Sequence, residues 1–341
     1  MLYVTTRNNN DVFTVLRPML QSRGPDGGLF LPFHNPVFTP EDLVGLKTQT
    51  FNQTVAQLLN GMFGTKFTGW DLDFTIGRYP VRIKQLRHRI LIGECWHNPE
   101  WIFDRVLRMI RQKMEAEASG DGSWVDLGIR IAVLFGLYGE LLRENILQPG
   151  DKFDVSCVSG QFTGPISAWY ARTWGLPVGN IVVCCNENNE LWNLICQGQF
   201  RTDVLSVPTT TPLADVTLPE NLERLIHGCG GTEEVERFLG CCRRGSMYVP
   251  ADPVLQKIRE GMFISVISSH RLESILPAVF TTHGYLMSPY TALAYGGLLD
   301  YRAKSGHMHH GIVLAERSPV HDAKTVCGCM NISEEQLAKL L

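Results

Sequence analysis

Residues 153–185, with the sequence FDVSCVSGQFTGPISAWYARTWGLPVGNIVVCC, decide the fold. Phe153 to Val158 is a β-prone run, and a turn of small residues follows it over 159–165. Ile166 to Trp174 has the composition of a short helix, and Asn180 to Cys185 is a second β-prone run. Strand, turn, helix and strand at this spacing form a βαβ unit, whose two strands run parallel. We therefore predict an α/β protein with a parallel sheet.

The flanking sequence predicts further helices and strands of the same fold. Residues 101–117 place apolar side chains on one stripe and basic side chains outside it, which indicates an amphipathic helix. Residues 125–147 are apolar on nearly every side, which is typical of a long buried helix. Residues 262–267 and 311–315 are short apolar runs that we interpret as buried strands.

The composition is that of a packed globular protein without a strong charge. The chain has 341 residues, of which 44% are hydrophobic and 19% charged, and its net charge is −3. Nucleic acids and anionic membranes are bound by basic surfaces, so we expect neither as a partner. The opening MLYVTTRNNN contains no apolar signal core, and the most apolar run, Ile131 to Gly139, is too short to span a bilayer. These features predict a cytoplasmic protein.

The turn at 159–165 has features of an anion site. It lies between a strand and the first turn of a helix, where backbone N–H groups lack partners and the helix dipole favours a negative group. Gly160 and Gly164 permit close backbone approach, and Ser159 and Thr163 offer hydroxyl groups. Many α/β turns with two glycines bind nothing. The pattern alone therefore leaves two interpretations open, a phosphate site and a purely structural turn.

Two groups of residues have side chains that bind metals in other proteins. Cys327 and Cys329 form a C-x-C pair, and His307, His309 and His310 cluster before a predicted strand. A zinc site needs further ligands at defined spacing, and the sequence near either group does not supply them. We predict no metal site.

Six blocks of sequence, in order along nearly the whole chain, resemble the threonine synthase family. The blocks are Tyr3 with Thr6 and Arg7, GPDGGLFLP at 24–32, VSGQF at 158–162 with GLP at 175–177 and NEN at 186–188, PENLER at 219–224, SPYTA at 288–292, and GIVLA at 311–315. The resemblance implies a pyridoxal-phosphate fold of the tryptophan synthase β type, known as fold type II. It also implies a threonine-synthase-like N-terminal region over residues 1–100 and the large domain of that fold over 101–341.

The resemblance lacks the lysine that carries the cofactor. In the family this lysine lies in the motif ELFHGPTLAFKDFG, and the matching stretch here is ECWHNPEWIFD at 94–104. Phe103 is followed directly by Asp104, and a carboxylate cannot form the Schiff base that an amine forms. Lys113, the nearest lysine, falls on the charged face of the predicted helix. We also predict that the small subdomain of the family is missing near 105–124, where SGDG at 119–122 is a linker turn.

The resemblance leaves a degenerate cofactor site. Its predicted members are Ser159, Gly160, Gln161, Phe162, Thr163, Gly164 and Thr291. Thr291 matches the family threonine that bonds to the pyridine nitrogen. Thr163 stands where the family has glycine, and Pro165 removes one N–H donor. We expect no covalently bound cofactor and only weak binding of pyridoxal phosphate or another phosphate ligand, and we assign no catalytic residue.

The predicted function is that of a catalytically inactive homologue which binds a small molecule or a partner. Three alternatives stay open: a threonine synthase-related lyase or transferase that uses pyridoxal phosphate, a binder of another phosphorylated metabolite at the 159–165 loop, and a protein whose lysine and subdomain come from a separate chain. Loss of the small subdomain should uncover an apolar face. We therefore expect a homo-oligomer or a protein partner that covers this face.

Overall fold

The computed structural model describes residues 1–97, 100–114 and 123–340. Its strands, in chain order, are β1 (Leu2–Thr5), β2 (Phe13–Thr14), β3 (Phe30–Pro32), β4 (Arg82–Gln85), β5 (Ile90–Glu94), β6 (Trp96–His97), β7 (Glu100–Trp101), β8 (Phe153–Val158), β9 (Val178–Cys185), β10 (Phe200–Arg201), β11 (Met247–Tyr248), β12 (Met262–Val266) and β13 (His310–Ala315).

Helices make up much of the rest of the described residues. They are α1 (Leu16–Leu20), α2 (Pro40–Gly45), α3 (Phe51–Phe63), α4 (Gly69–Ile76), α5 (Ile102–Met114), α6 (Trp124–Arg143), α7 (Thr163–Thr173), α8 (Glu190–Trp192), α9 (Leu222–Arg244), α10 (Asp252–Arg259), α11 (Ser269–His283), α12 (Pro289–Ser305), α13 (Ala323–Met330) and α14 (Glu334–Leu340). No helix within the described ranges is long and apolar enough to cross a membrane.

A six-stranded sheet forms the centre of the molecule, in the order β12-β9-β8-β13-β5-β4. Neighbouring strands run parallel except β4, which is antiparallel to β5. Strands β8 and β9 are the two strands of the predicted βαβ unit, and α7 is its helix. The predicted α/β fold with a parallel sheet is confirmed.

Helices cover both faces of the sheet, which is why the central strands are apolar on both sides. On one face lie α6 and α7, and α6 is buried along nearly all of its 20 residues because α3 packs on its outer side. On the other face α12 packs against β8 and β9, with α11 beside it. Ser123 begins α6 by accepting a hydrogen bond from the backbone N–H of Asp126.

The first hundred residues contribute to three sheets, one of which is the two-stranded pair of β6 and β7. Strands β1, β2 and β3 form a small antiparallel sheet, and the Tyr3 hydroxyl joins it to α3 through a hydrogen bond to the carbonyl of Met62. Strands β4 and β5, also from this region, belong to the six-stranded sheet. The division at residue 100 stays a prediction. The same holds for the missing subdomain: Met114 ends α5 and Trp124 begins α6, and the predicted linker turn at 119–122 lies outside the described residues.

Candidate functional site

A cavity of about 730 Å³ opens at the carboxyl ends of β8 and β13. This is the end of a parallel sheet at which the loops to the following helices meet. One wall is the turn from Ser159 to Gly164, and α5 and α6 contribute another part of the wall. Leu213 and Tyr290 close the sides. Cavities of this size hold small-molecule ligands.

The backbone of the turn is arranged for an anion. Gly160 and Phe162 both have positive φ angles, of 39° and 64°, and the N–H of Phe162 donates to the carbonyl of Ser159 at 2.6 Å. Phe162 precedes α7, so the N–H groups of Thr163 and Gly164 belong to its first turn, where helical geometry provides no acceptor. Helix α7 begins three residues before the predicted Ile166, which places both groups at the cavity.

Ser159 has a hydroxyl that lacks a partner. The residue lines the cavity, and its Oγ is buried without a hydrogen bond to any described residue. Burial raises the pKa of the nearby Cys185 thiol to about 12, and the Ser159 hydroxyl beside it acts in the opposite direction. Buried hydroxyls usually have a partner, so the Ser159 hydroxyl is available to a water or a ligand in the cavity.

Gln161 lines the cavity and connects the turn to the start of α9. Its Oε1 accepts a hydrogen bond from the N–H of Glu220 at 3.0 Å, and its carbonyl accepts one from Asn221 Nδ2 at 3.0 Å. Asn221 Nδ2 also approaches Thr163 Oγ1 at 3.4 Å. The turn is thereby fixed to the start of α9. Gly164 packs tightly below it, because a Cβ there would lie 3.2 Å from Cys157 Cβ.

The structure brings five of the seven predicted site residues to the cavity wall: Ser159, Gly160, Gln161, Thr163 and Gly164. Phe162 has its side chain fully buried in the core and serves the turn through its backbone. Thr291 is buried at the start of α12, where its hydroxyl lies 3.0 Å from Ser288 Oγ, and it is not among the lining residues that the structure describes. Their role as cofactor ligands stays a prediction.

Tyr290, next to Thr291, does line the cavity. Its hydroxyl accepts a hydrogen bond from the N–H of Leu213 at 3.2 Å, and its ring lies 5.9 Å from the Arg317 guanidinium. Burial raises the pKa of the Tyr290 hydroxyl, so it stays protonated at neutral pH. Sequence analysis did not predict Tyr290 as a site residue. Its position next to Thr291, at the start of a helix, is the signal that could have indicated it.

The charges on the cavity wall balance one another. The part of the lining that the structure describes has three arginines and three carboxylates, namely Arg108, Arg130, Arg317, Asp104, Asp126 and Glu316. Arg130 is 8% exposed; its Nε donates to Asp126 Oδ2 at 3.2 Å, and it also forms an ion pair with Glu316. Burial opposes the charge of Arg130, but the two carboxylates outweigh burial and raise the pKa of the guanidinium.

Sequence reasoning singled out Asp104 but missed the other five charged residues. Asp126 and Arg130 are four residues apart on a helix, which is a detectable pairing signal, but Glu316 joins them only through the fold. Arg317 is held by Asp322, with 2.9 Å between Nε and Oδ2. The cavity therefore offers a ligand no large net field, and an anion would depend on the turn at Ser159.

Asp104 lies on the α5 wall, at the position where the resemblance places the family lysine. The described lining residues include no lysine. Lys113 belongs to α5, but its side chain lies outside the description. The residues present thus fit the phosphate of pyridoxal phosphate, through the turn and the unpaired Ser159 hydroxyl. They do not fit its aldehyde, which needs an amine.

Metal ligands do not converge within the described parts of the chain, where no group of three His, Cys, Asp or Glu side chains could hold an ion. His307 and His309 stack on each other with ring centres 5.5 Å apart. His309 Nδ1 lies 3.8 Å from the buried carboxylate of Asp154.

Comparison with known proteins links both the N-terminal region and the fold to threonine synthases. Residues 2–78 match the family model described as threonine synthase N terminus. Human threonine synthase-like 1 is 21% identical over 175 residues, which are 50% of this chain and 24% of that protein. Threonine synthase from Pseudomonas aeruginosa is 26% identical over 141 residues, which are 40% of this chain and 30% of that protein.

Solved structures extend the similarity to the whole fold. Threonine synthase from Brucella melitensis with PLP bound superposes with a TM-score of 0.86 at 16% identity, over 100% of this chain and 94% of that chain. Yeast threonine synthase gives a TM-score of 0.83 at 13% identity, over 99% and 93%. The match to the threonine synthase-like 1 proteins spans about a quarter of their length, 24%. The predicted resemblance to threonine synthases and the fold type II architecture are confirmed.

Proposed function

We propose that this threonine synthase-like chain binds a small phosphorylated molecule in its cavity without forming an imine with it, and that it is not a threonine synthase. One observation carries the proposal. Asp104 lies on the cavity wall at the position where the family motif has its lysine, and the described lining residues include no lysine. A carboxylate at that place can accept a hydrogen bond or hold a proton, but it cannot condense with an aldehyde.

The turn at Ser159 supports the binding half of the proposal. It keeps the first-turn N–H groups of α7, the left-handed backbone at Phe162 and an unpaired hydroxyl. These groups suit a phosphate, since a phosphate accepts several hydrogen bonds and gains from the helix dipole. The balanced charges elsewhere in the cavity add little, so we expect weak affinity.

The residues can do limited chemistry around a bound molecule. Leu213, Tyr290 and Trp96 exclude water from part of the cavity, and the Tyr290 hydroxyl keeps its proton at neutral pH. Cys157 lines the floor, but burial raises the pKa of its thiol well above the usual value. It is therefore a poor nucleophile. When pyridoxal phosphate is bound, it supplies an aldehyde that these residues leave unreacted.

The test is borohydride trapping with mass spectrometry. Purified protein is mixed with pyridoxal phosphate and reduced, and tryptic peptides are searched for a phosphopyridoxyl lysine. We expect no modification at a cavity position in the natural chain. A matched variant, Asp104→Lys, places an amine on the same wall and should become labelled at residue 104.

The Lys113→Gln variant removes the nearest alternative amine in the sequence. Stoichiometric labelling of the natural protein that disappears in Lys113→Gln would overturn the proposal and favour the pyridoxal-phosphate enzyme. Labelling confined to exposed lysines at high aldehyde concentration supports it, because any exposed amine reacts to some extent.

We also propose that self-association covers an exposed apolar face beside α5. Helix α4 packs against α5, and it carries Trp70 and Phe74 with 83% and 92% of their surfaces exposed. These two residues are four apart and share one helix face. Large exposed aromatic side chains mark interaction sites. The location is next to the predicted deletion, which supports the view that the lost subdomain left a face to cover.

Light scattering coupled to size-exclusion chromatography tests the association. We expect a dimer or larger species at micromolar concentration, and a monomer for the Trp70→Ser, Phe74→Ser double variant. A monomer in both cases would show that this face does not mediate self-association. The cytoplasmic location expected from the sequence stays a prediction.

A further inference from the structure

A basic segment runs along one edge of the central sheet. Residues 77–93 contain five lysines and arginines and no carboxylate, in a chain with a net charge of −3. The five cations are all exposed: Arg78, Arg82, Lys84, Arg87 and Arg89. His88 and Tyr79 between them are exposed as well. The positive charge of this segment therefore contrasts with the rest of the chain.

Strand β4, in the middle of the segment, has a free edge. It is the last strand of the six-stranded sheet and pairs with β5 on one side, and no described strand pairs with its other side. The N–H of Leu86 donates to the carbonyl of Ile90 on β5 at 2.8 Å. In an antiparallel pair every second residue points its backbone groups at the neighbouring strand. Lys84 and Arg82 therefore also bond towards β5, while the N–H and C=O groups of Ile83 and Gln85 point outwards.

The turn after β4 is held in an unusual conformation. His88 and Arg89 have left-handed backbones, with φ angles of 60° and 57°, which non-glycine residues rarely adopt. The buried Arg302 stabilises them by donating to the carbonyls of His88 and Arg89, the latter at 3.1 Å, and to that of His309 at 2.8 Å. Because the carbonyls are held inwards, the basic side chains stay at the surface.

Within the described ranges, no ion pair neutralises the positive charges of residues 77–93. No carboxylate in those ranges forms an ion pair with Arg82, Lys84 or Arg87. Charged side chains on an edge strand also protect proteins from edge-to-edge aggregation. A second copy of this chain at the same edge would bring like charges together. An acidic strand would satisfy both the charges and the outward backbone groups.

We propose that β4 is a docking edge for an extended acidic segment of a protein partner, which adds to the sheet as a further strand. Its Glu or Asp side chains would lie beside Arg82 and Lys84, and its backbone would pair with Ile83 and Gln85. A nucleic acid or an anionic membrane could use the charges but not the backbone groups. The site is independent of the cavity, which opens among β8, β13 and α5.

The experiment uses the full chain and a fluorescent eight-residue peptide of alternating valine and glutamate, followed by anisotropy. We expect saturable binding that weakens with salt and is lost when alternate peptide nitrogens are methylated. Two variants separate the contributions. Gln85→Pro removes one outward N–H and leaves the β5 ladder intact, whereas Arg82→Gln with Lys84→Gln removes charge only.

Each variant should weaken binding by about fivefold or more, while Lys324→Gln, an exposed lysine on α13, should change nothing. Thermal melts confirm that the variants fold. No saturable binding below about 1 mM peptide would overturn the proposal. So would tighter binding of single-stranded RNA or phosphatidylserine vesicles that depends on Arg82 and Lys84 but ignores Gln85→Pro, because the edge would then be an electrostatic surface only.

Discussion

The turn at Ser159 and the α5 wall face the same cavity, but they depend on different kinds of group. The turn presents backbone groups: positive φ at Gly160 and Phe162, and the first N–H groups of α7. The α5 wall presents a side chain, Asp104, at the critical place. Backbone groups persist through many substitutions, whereas imine chemistry disappears with one lysine. The two regions can therefore diverge, and a fold can keep an anion site after it loses the chemistry.

Arg130 lines the same cavity from α6, and its removal should have the largest effect. The guanidinium is 8% exposed and bridges Asp126 on α6 to Glu316 after β13. In Arg130→Met both carboxylates lose their shared cation in a poorly solvated place. We expect the free energy of unfolding in urea to fall by about 3 kcal/mol at neutral pH.

The matched control is Arg201→Met. Arg201 pairs with Asp203, and their side chains are 56% and 47% exposed, so its loss should change the free energy of unfolding by less than about 0.5 kcal/mol. If Arg130→Met were equally mild, the buried charge cluster would not be a structural element of the cavity, and Arg130 would be available to a ligand.

The second test separates the turn from the wall. Ser159→Ala removes a hydroxyl that has no described partner, so the melting temperature should change little. Affinity for pyridoxal phosphate, measured by calorimetry, should fall about tenfold because one hydrogen bond to an anion is lost. Asp104→Asn on the α5 wall should leave that affinity unchanged or slightly higher. An equal loss in both variants would contradict the division of roles.

The fold was predictable where the sequence pattern is local. Strand β8 matches the predicted 153–158, and β13 extends the predicted 311–315 by one residue. Sequence analysis predicted no helix before residue 100, so α3 and α4 were missed. Helix α3 packs on the buried α6, and α4 packs on α3 and α5, so both depend on contacts with distant parts of the sequence.

The site was predictable only in its backbone part. The turn at 159–164 and its two glycines are contiguous in sequence, so their pattern can be recognised. The ion pair between Arg130 and Glu316 joins α6 to the segment after β13, and no local sequence pattern predicts that contact. Thr291 was assigned through the resemblance alone. The Thr291 hydroxyl also lies beside Ser288 at the start of α12, where it takes part in the helix cap, and the sequence pattern did not exclude that structural role.

Thr291 provides the last and smallest test. Its hydroxyl lies 3.0 Å from Ser288 Oγ, and Ser288 accepts the N–H of Thr291 as the cap of α12. Thr291→Val should cost about 1 kcal/mol of unfolding free energy and leave pyridoxal-phosphate affinity unchanged. Ser288→Ala should cost a similar amount through the lost cap. If Thr291→Val instead weakened binding as much as Ser159→Ala while stability held, the threonine would contact the ligand. The binding site would then include the Thr291 side chain as well as the turn. Binding would no longer depend on backbone groups alone, and the distinction between the turn and the α5 wall would fail.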